Sequence, residues 1–137
     1  MIAFISRRES FSSSHRVALP NLSDKENMKL FGACSNKNGH GHNYILEITI
    51  KGKVNPKTGY VIDLKEVKEI MHQNFLKYVD HKNLNLDVDF LKGINPTTEN
   101  IAIACWNKLN PHFKKSAKLF SIKIFETDKN FVEYRGE

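Results

Sequence analysis

The sequence predicts an α+β domain, a four-stranded antiparallel sheet with two helices on one face. Three observations carry that expectation. Tyr44, Leu46, Ile48 and Ile50 alternate with more polar neighbours, the period of a strand buried on one side. From Asp63 the period lengthens, and Leu64, Val67, Met71, Phe75 and Tyr78 recur at three- and four-residue spacing to make one helical face. The resulting order of strand, strand, helix, helix, strand, strand suits helices packed on one side of an antiparallel sheet.

At 137 residues the chain is long enough for one hydrophobic core, and residues 1–137 are expected to form one domain. An apolar fraction of 40% with 26% charged residues is ordinary for a globular protein. The two cysteines, Cys34 and Cys105, make no disulfide framework, and free thiols suit a reducing compartment such as the cytosol. The N-terminal run Ile2–Ile5 is too short for a signal peptide, and no stretch approaches a membrane span. A net charge of +6 fits either a nucleic-acid binder or an enzyme for an anionic substrate. The lysines are scattered rather than interleaved with aromatics, which argues against nucleic acid.

The first strand is expected over residues 3–15, with Phe11, Ser13 and His15 on one face. A connection follows over 16–33, and within it Ser23 and Glu26 match a capping box ahead of a short helix. The second strand covers 42–54, and Asn55–Gly59 forms a turn leading to an extended piece at Tyr60–Ile62. The first long helix runs from Asp63, its cap, to Val79, with His72 on the solvated side. Residues 80–85 read as irregular and polar. The second helix begins near Thr97–Thr98–Glu99 and ends at Asn110–Pro111, and Cys105 lies on its buried face as a small core hydrophobe. Strands at Leu119–Glu126 and Phe131–Tyr134 close the chain.

The chemistry gathers in Cys34–Tyr44. His40 and His42 stand two apart, so in an extended strand both imidazoles leave the same face, as a chelated metal requires. Gly39 and Gly41 leave that point uncrowded and let the backbone turn. His15, ending the neighbouring strand, is available as a third nitrogen ligand. Three neutral imidazoles leave the charge of a zinc ion uncompensated and its fourth position open, the catalytic pattern. Cys34, six residues before His40, is either a reactive thiol beside that site or a fourth ligand that closes it. Glu126 continues the apolar row Phe120, Ile122, Ile124, where a buried carboxylate is costly unless donors satisfy it. Either the strand has ended and Glu126 meets water, or it awaits a ligand rich in N–H donors.

Several segments together resemble the 6-pyruvoyl-tetrahydropterin synthase family: Ser10–Arg16, Cys34–Tyr44, Asp80–Leu84, Thr97–Asn100 and Glu126–Asp128, in the family's order along nearly the whole chain. The resemblance implies the tunnelling fold, in which sheets from three subunits join edge to edge as a barrel and two trimers stack as a hexamer, with active sites at subunit contacts. It implies His15, His40 and His42 as zinc ligands and Cys34 as catalytic base, with Asp80 and His81 as its relay. It implies Glu126 as the anchor of the pterin ring, with Thr97, Thr98 and Glu99 near the pterin pocket. The implied reaction converts 7,8-dihydroneopterin triphosphate to 6-pyruvoyl-tetrahydropterin and triphosphate in tetrahydrobiopterin biosynthesis, without nicotinamide or flavin.

A sibling within the family, the 6-carboxytetrahydropterin synthases of bacterial deazapurine biosynthesis, uses the same substrate. In those enzymes the cysteine typically stands three residues before the His-Gly-His, whereas five residues separate Cys34 from His40 here, the eukaryotic-type spacing. A non-enzymatic zinc-binding module is the remaining reading, and it predicts that zinc leaves with the Cys34 thiol.

Overall fold

The computed structural model describes all residues, Met1–Glu137. The strands are β1 (Ile2–His15), β2 (His40–Lys53), β3 (Lys82–Asn83), β4 (Ala117–Phe125) and β5 (Phe131–Tyr134). Helix α1 is Asp24–Phe31 and α3 is Thr98–Leu109. Between them Leu64–Met71 continues through a π-helical turn, His72–Leu76, into Lys77–Val79, and this run is treated as one helix, α2.

The α+β class and the two sheet-covering helices stand as expected, but the sheet does not. It has five strands in the order β3-β1-β2-β4-β5, and β3 runs parallel to β1, so it is mixed rather than four-stranded and antiparallel. The extra strand comes from residues 80–85, expected to be irregular. His81 N–H donates to Ser12 O at 2.6 Å and Leu84 N–H to Ser14 O at 2.8 Å. This pairing satisfies the outer edge of β1 only at its C-terminal end, over Ser12–Ser14. The short helix expected behind the Ser23–Glu26 capping box forms as α1, so the chain has three helices in addition to the sheet. Tyr60–Ile62 forms no strand; the preceding turn closes through Asn55 N–H to Tyr60 O at 2.9 Å.

One core joins the sheet to α2 and α3. Phe11, Tyr44, Leu46, Ile48, Ile50, Ile122 and Ile124 meet Val67, Met71, Phe75, Val79, Ile101, Cys105 and Leu109. The π turn explains which residues of α2 are inside. The i, i+4 row Val67–Met71–Phe75–Val79 is fully buried, while Leu64 and Tyr78, expected on that face, are exposed. In a regular α-helix such a row drifts around the axis, and one wider turn brings it back toward the sheet. Truncating a side chain such as Phe75 to alanine costs about 3–5 kcal/mol.

Register does the positioning. Antiparallel pairing sets Phe11 opposite Tyr44, Ser13 opposite His42 and His15 opposite His40. Phe11 and Tyr44 stack, with ring centroids 4.7 Å apart and planes 9° from parallel. The buried aromatic row therefore runs straight into the histidines at one end of the sheet.

Candidate metal centre and cavity

His15, His40 and His42 converge, their ligand atoms all lying within 4.8 Å of one another. His15 is the anchor, 1% exposed. Its Nδ1 lies 2.7 Å from Pro96 O, and since a carbonyl only accepts, Nδ1 carries the proton and Nε2 presents its lone pair. That Nε2 is 3.2 Å from His40 Nε2. His40 Nδ1 and His42 Nε2 are buried without a hydrogen-bond partner. Orphaned polar atoms are rare in folded proteins, and here they belong to rings that border one point. Burial lowers the His15 pKa despite the Pro96 hydrogen bond, with His40 adding to the shift. Burial is also the main cause for His42, opposed by Glu126. Both shifts favour neutral imidazole, the form that binds a metal. The donor set fits an ion that takes three imidazole nitrogens, as zinc does.

Of the two flanking glycines, Gly39 is the demanding one. Its φ is +75°, and a Cβ there would lie 2.8 Å from the His15 carbonyl oxygen. Gly41 is less constrained, since an added Cβ would come no closer than 3.4 Å to Ser13 O.

A cavity of about 450 Å³ lies beside the cluster, lined by Val17, Leu30, Phe31, Cys34, Thr97, Thr98, Glu99, Glu126 and Asn130–Val132. Its size suits a small molecule, and a few polar groups converge on an otherwise partly apolar wall. Thr97 caps α3, its hydroxyl accepting from Asn100 N–H at 3.2 Å. Capping places Thr98 in the first turn, where its hydroxyl donates to Glu126 Oε2 at 2.7 Å. Glu126 Oε1 is 3.7 Å from His42 Nε2. β4 ends at Phe125, as the first reading of Glu126 had it, yet the carboxylate does not point into open water but lies in the cavity wall.

Asp80 and His81 sit elsewhere. They contact each other, His81 Nδ1 lying 3.0 Å from Asp80 Oδ1, and Asp80 also accepts from Ser12 N–H at 2.9 Å. Burial opposes ionisation of Asp80, but Ser12 N–H and His81 outweigh it and hold its pKa below the usual range. His81 has a left-handed backbone, φ 59°, and an almost fully exposed ring. It lines an entirely polar groove with Ser12, Ser14, Gly41, His42, Asn43 and Lys82; His42 of the cluster borders this groove, and Cys34 does not. Within one chain the structure joins Cys34 to Glu126 and Thr97–Glu99, but does not join it to Asp80 and His81.

Sequence reasoning missed two members of the site. Tyr44 was read only as part of the apolar row, yet its hydroxyl is 3.4 Å from His15 Nε2. Burial, then Glu126 and Cys34, push its pKa well above the ordinary phenol value, so it stays neutral. The available signal was a polar tip on an apolar row two residues after a candidate ligand. Pro96 gave no signal, because its contribution is a backbone carbonyl.

The family profile described as 6-pyruvoyl tetrahydropterin synthase matches residues 4–137. The chain belongs to this family. It is 49% identical over 133 residues to the 6-pyruvoyl tetrahydrobiopterin synthase of Dictyostelium discoideum, covering 97% of this chain and 96% of that protein. The human protein of the same name is 45% identical over 135 residues, covering 98% of this chain and 92% of its own length. The solved structure of 6-pyruvoyl tetrahydropterin synthase from Caenorhabditis elegans superposes with a TM-score of 0.93 at 42% identity, covering 100% of this chain and 97% of that one. The five-stranded mixed sheet is thus this chain's version of the synthase family's tunnelling fold.

Proposed function

We propose that this protein is a zinc-dependent lyase converting 7,8-dihydroneopterin triphosphate to 6-pyruvoyl-tetrahydropterin with release of triphosphate, in tetrahydrobiopterin biosynthesis. The observation that carries the reading is the convergence of His15, His40 and His42 beside a cavity that holds both Cys34 and Glu126. Membership of the synthase family supports it.

His15, His40 and His42 would hold the zinc, which, when bound, supplies Lewis acidity to the hydroxyls of the substrate side chain. Glu126 anchors the pterin by accepting hydrogen bonds from its ring N–H and amino group, and Thr98 keeps that carboxylate oriented. Thr97 and Glu99 complete that wall of the cavity. Cys34, as thiolate, takes a carbon-bound proton from the side chain. Its proton then passes to His81, whose charged form Asp80 orients and stabilises. One hydroxyl-bearing carbon is oxidised to a carbonyl as the ring's C=N bond is reduced, and the other is oxidised as the neighbouring carbon loses triphosphate and becomes a methyl group, so electrons balance within the substrate.

Because Cys34 and His81 line different hollows of one chain, the reading needs a second subunit to bring them together. We therefore take the protein as a homohexamer, a dimer of trimers whose sheets close into a barrel, with residues 1–137 as one synthase domain. Both cysteines are free, which suits the cytosol, and no helix is long and apolar enough to cross a membrane.

The test is product identification after incubating the zinc-loaded protein with 7,8-dihydroneopterin triphosphate. The expected products are 6-pyruvoyl-tetrahydropterin and inorganic triphosphate in equal amounts. A carboxylated pterin with released acetaldehyde would overturn the assignment.

A further inference from the structure

The segment that carries Cys34 is attached to the protein by polar contacts rather than by a hydrophobic face. Across α1 and the 3-10 turn Gly32–Ser35, the buried residues are Asn27 and Ser35, both polar. Met28 and Leu30 are exposed, Leu30 at the cavity wall. The Asn27 amide ties down the approach to the segment, accepting from Leu19 N–H at 2.8 Å and donating to Leu19 O and Leu22 O at 3.1 and 3.3 Å. The thiol end is held by different bonds. Val17 N–H donates to Cys34 O at 2.8 Å. Arg16 Nε donates to Ser35 O, also at 2.8 Å.

The same guanidinium reaches Asp24 Oδ1 through Nη2 at 3.2 Å, so one planar group bridges the start and the end of the segment. Arg16 is itself fixed. Its N–H donates to Asn85 Oδ1 at 2.7 Å, and its carbonyl accepts from Asn85 Nδ2 at 2.9 Å. It also directly follows His15, whose ring is locked by Pro96. The placement of the thiol relative to the imidazole cluster therefore passes through the side chain next to the most buried histidine. Arg16 borders a separate hollow with Ala18, Pro20 and Asn95, not the cavity of Cys34 and Glu126. Its bonded donors are aimed at protein oxygens.

From this geometry we propose that Arg16 is a positioning residue for Cys34. It clasps the segment 24–35 so that the thiol stands at a fixed place beside the histidine cluster. The proposal rests on the reading of Cys34 as the catalytic base. A lysine does not replace the clasp, because an ammonium is a point charge and cannot hold the Nε and Nη2 bonds in one plane.

The experiment compares zinc-loaded wild type with Arg16→Gln, Arg16→Lys and Asp24→Asn. It measures kcat and KM for 7,8-dihydroneopterin triphosphate, zinc content, and the rate of native alkylation of each cysteine by iodoacetamide. Misplacing a reacting group by about 1 Å costs on the order of 10²-fold, so Arg16→Gln is expected to lower kcat by about that factor with KM within about twofold. Zinc stays bound. The Cys34 alkylation rate changes by at least about fivefold, while buried Cys105 remains unlabelled. Arg16→Lys restores less than about a tenth of kcat, and Asp24→Asn, which keeps an acceptor but removes the charge from the outer bond, lowers it by about twofold to fivefold. A raised KM with unchanged kcat would make Arg16 an anion contact and overturn the proposal. So would unchanged kcat and alkylation in Arg16→Lys and Asp24→Asn, which decide the matter if Arg16→Gln does not fold. Cys34→Ala is the separate control: wild-type turnover there sinks the reading of the thiol as base, and the alkylation rates alone then judge the clasp.

Discussion

The histidine cluster and the Asp80–His81 pair contrast in every respect that decides how a site is built. The cluster is made by long antiparallel register, on the buried face of β1 and β2, with His15 locked by a backbone carbonyl. The pair is made by a two-residue edge strand, with the His81 ring exposed in a polar groove and its backbone in a left-handed conformation. Such a conformation costs a non-glycine residue roughly 1–2 kcal/mol and persists where its surroundings fix it. Here the bonds from His81 N–H to Ser12 O and from Ser12 N–H to Asp80 fix it. The three histidines of the cluster meet within one chain, whereas the pair is separated from Cys34 in that chain.

The strongest way to break that contrast is complementation. Cys34→Ala and His81→Ala are each expected to lower turnover by about 10³-fold with zinc retained, the scale of lost acid–base catalysis. Unfolding the two variants together and refolding them should restore activity toward about a quarter of wild type, since random mixing leaves that share of shared sites intact. No recovery would place the thiol and the relay in one chain. Next in size, His40→Ala should strip metal from the dialysed protein and remove turnover with it, whereas His81→Ala keeps its full metal content; elemental analysis separates the two.

Acid separates the regions more gently. In metal-free protein the lowered His15 and His42 pKa values mean that the unfolded chain binds more protons near the ordinary value of 6.5. Their contribution is present above that value and is lost as pH falls through the lower folded values, so Tm should rise between about pH 5 and 7. Asp80 is also lowered, from an ordinary 3.8, so its contribution persists above that value and disappears only as pH falls further. A metal-free Tm that is flat across pH 5–7 would contradict the buried, neutral cluster. The smallest effect belongs to Cys105→Ala, whose site is core alone: about 1 kcal/mol of stability by chemical denaturation, with turnover unchanged.

How much of this was legible depended on the range of the interaction. The third histidine of the cluster was readable because Phe11, Ser13 and His15 obey a two-residue period, and Glu126 because it extends one. The capping box at Ser23 announced α1, and Thr97 announced α3. The fifth strand was not legible, since residues 80–85 carry no apolar alternation and pair only through backbone bonds to Ser12 and Ser14. The π turn was equally hidden. It shows itself only in which residues of α2 end up buried, and Tyr78 does not.

By itself the sequence singled out the three histidines, the Cys34 thiol, the Glu126 carboxylate and the helix-over-sheet class, because side-chain periods and caps are local properties of the chain. Only the tertiary structure decided that Cys34 and His81 line separate hollows, that a carbonyl fixes the His15 tautomer, and that Arg16 clasps the segment bearing the thiol. Each of those depends on backbone groups meeting across distant parts of the chain, and every residue has the same backbone groups, so no residue type announces them in advance.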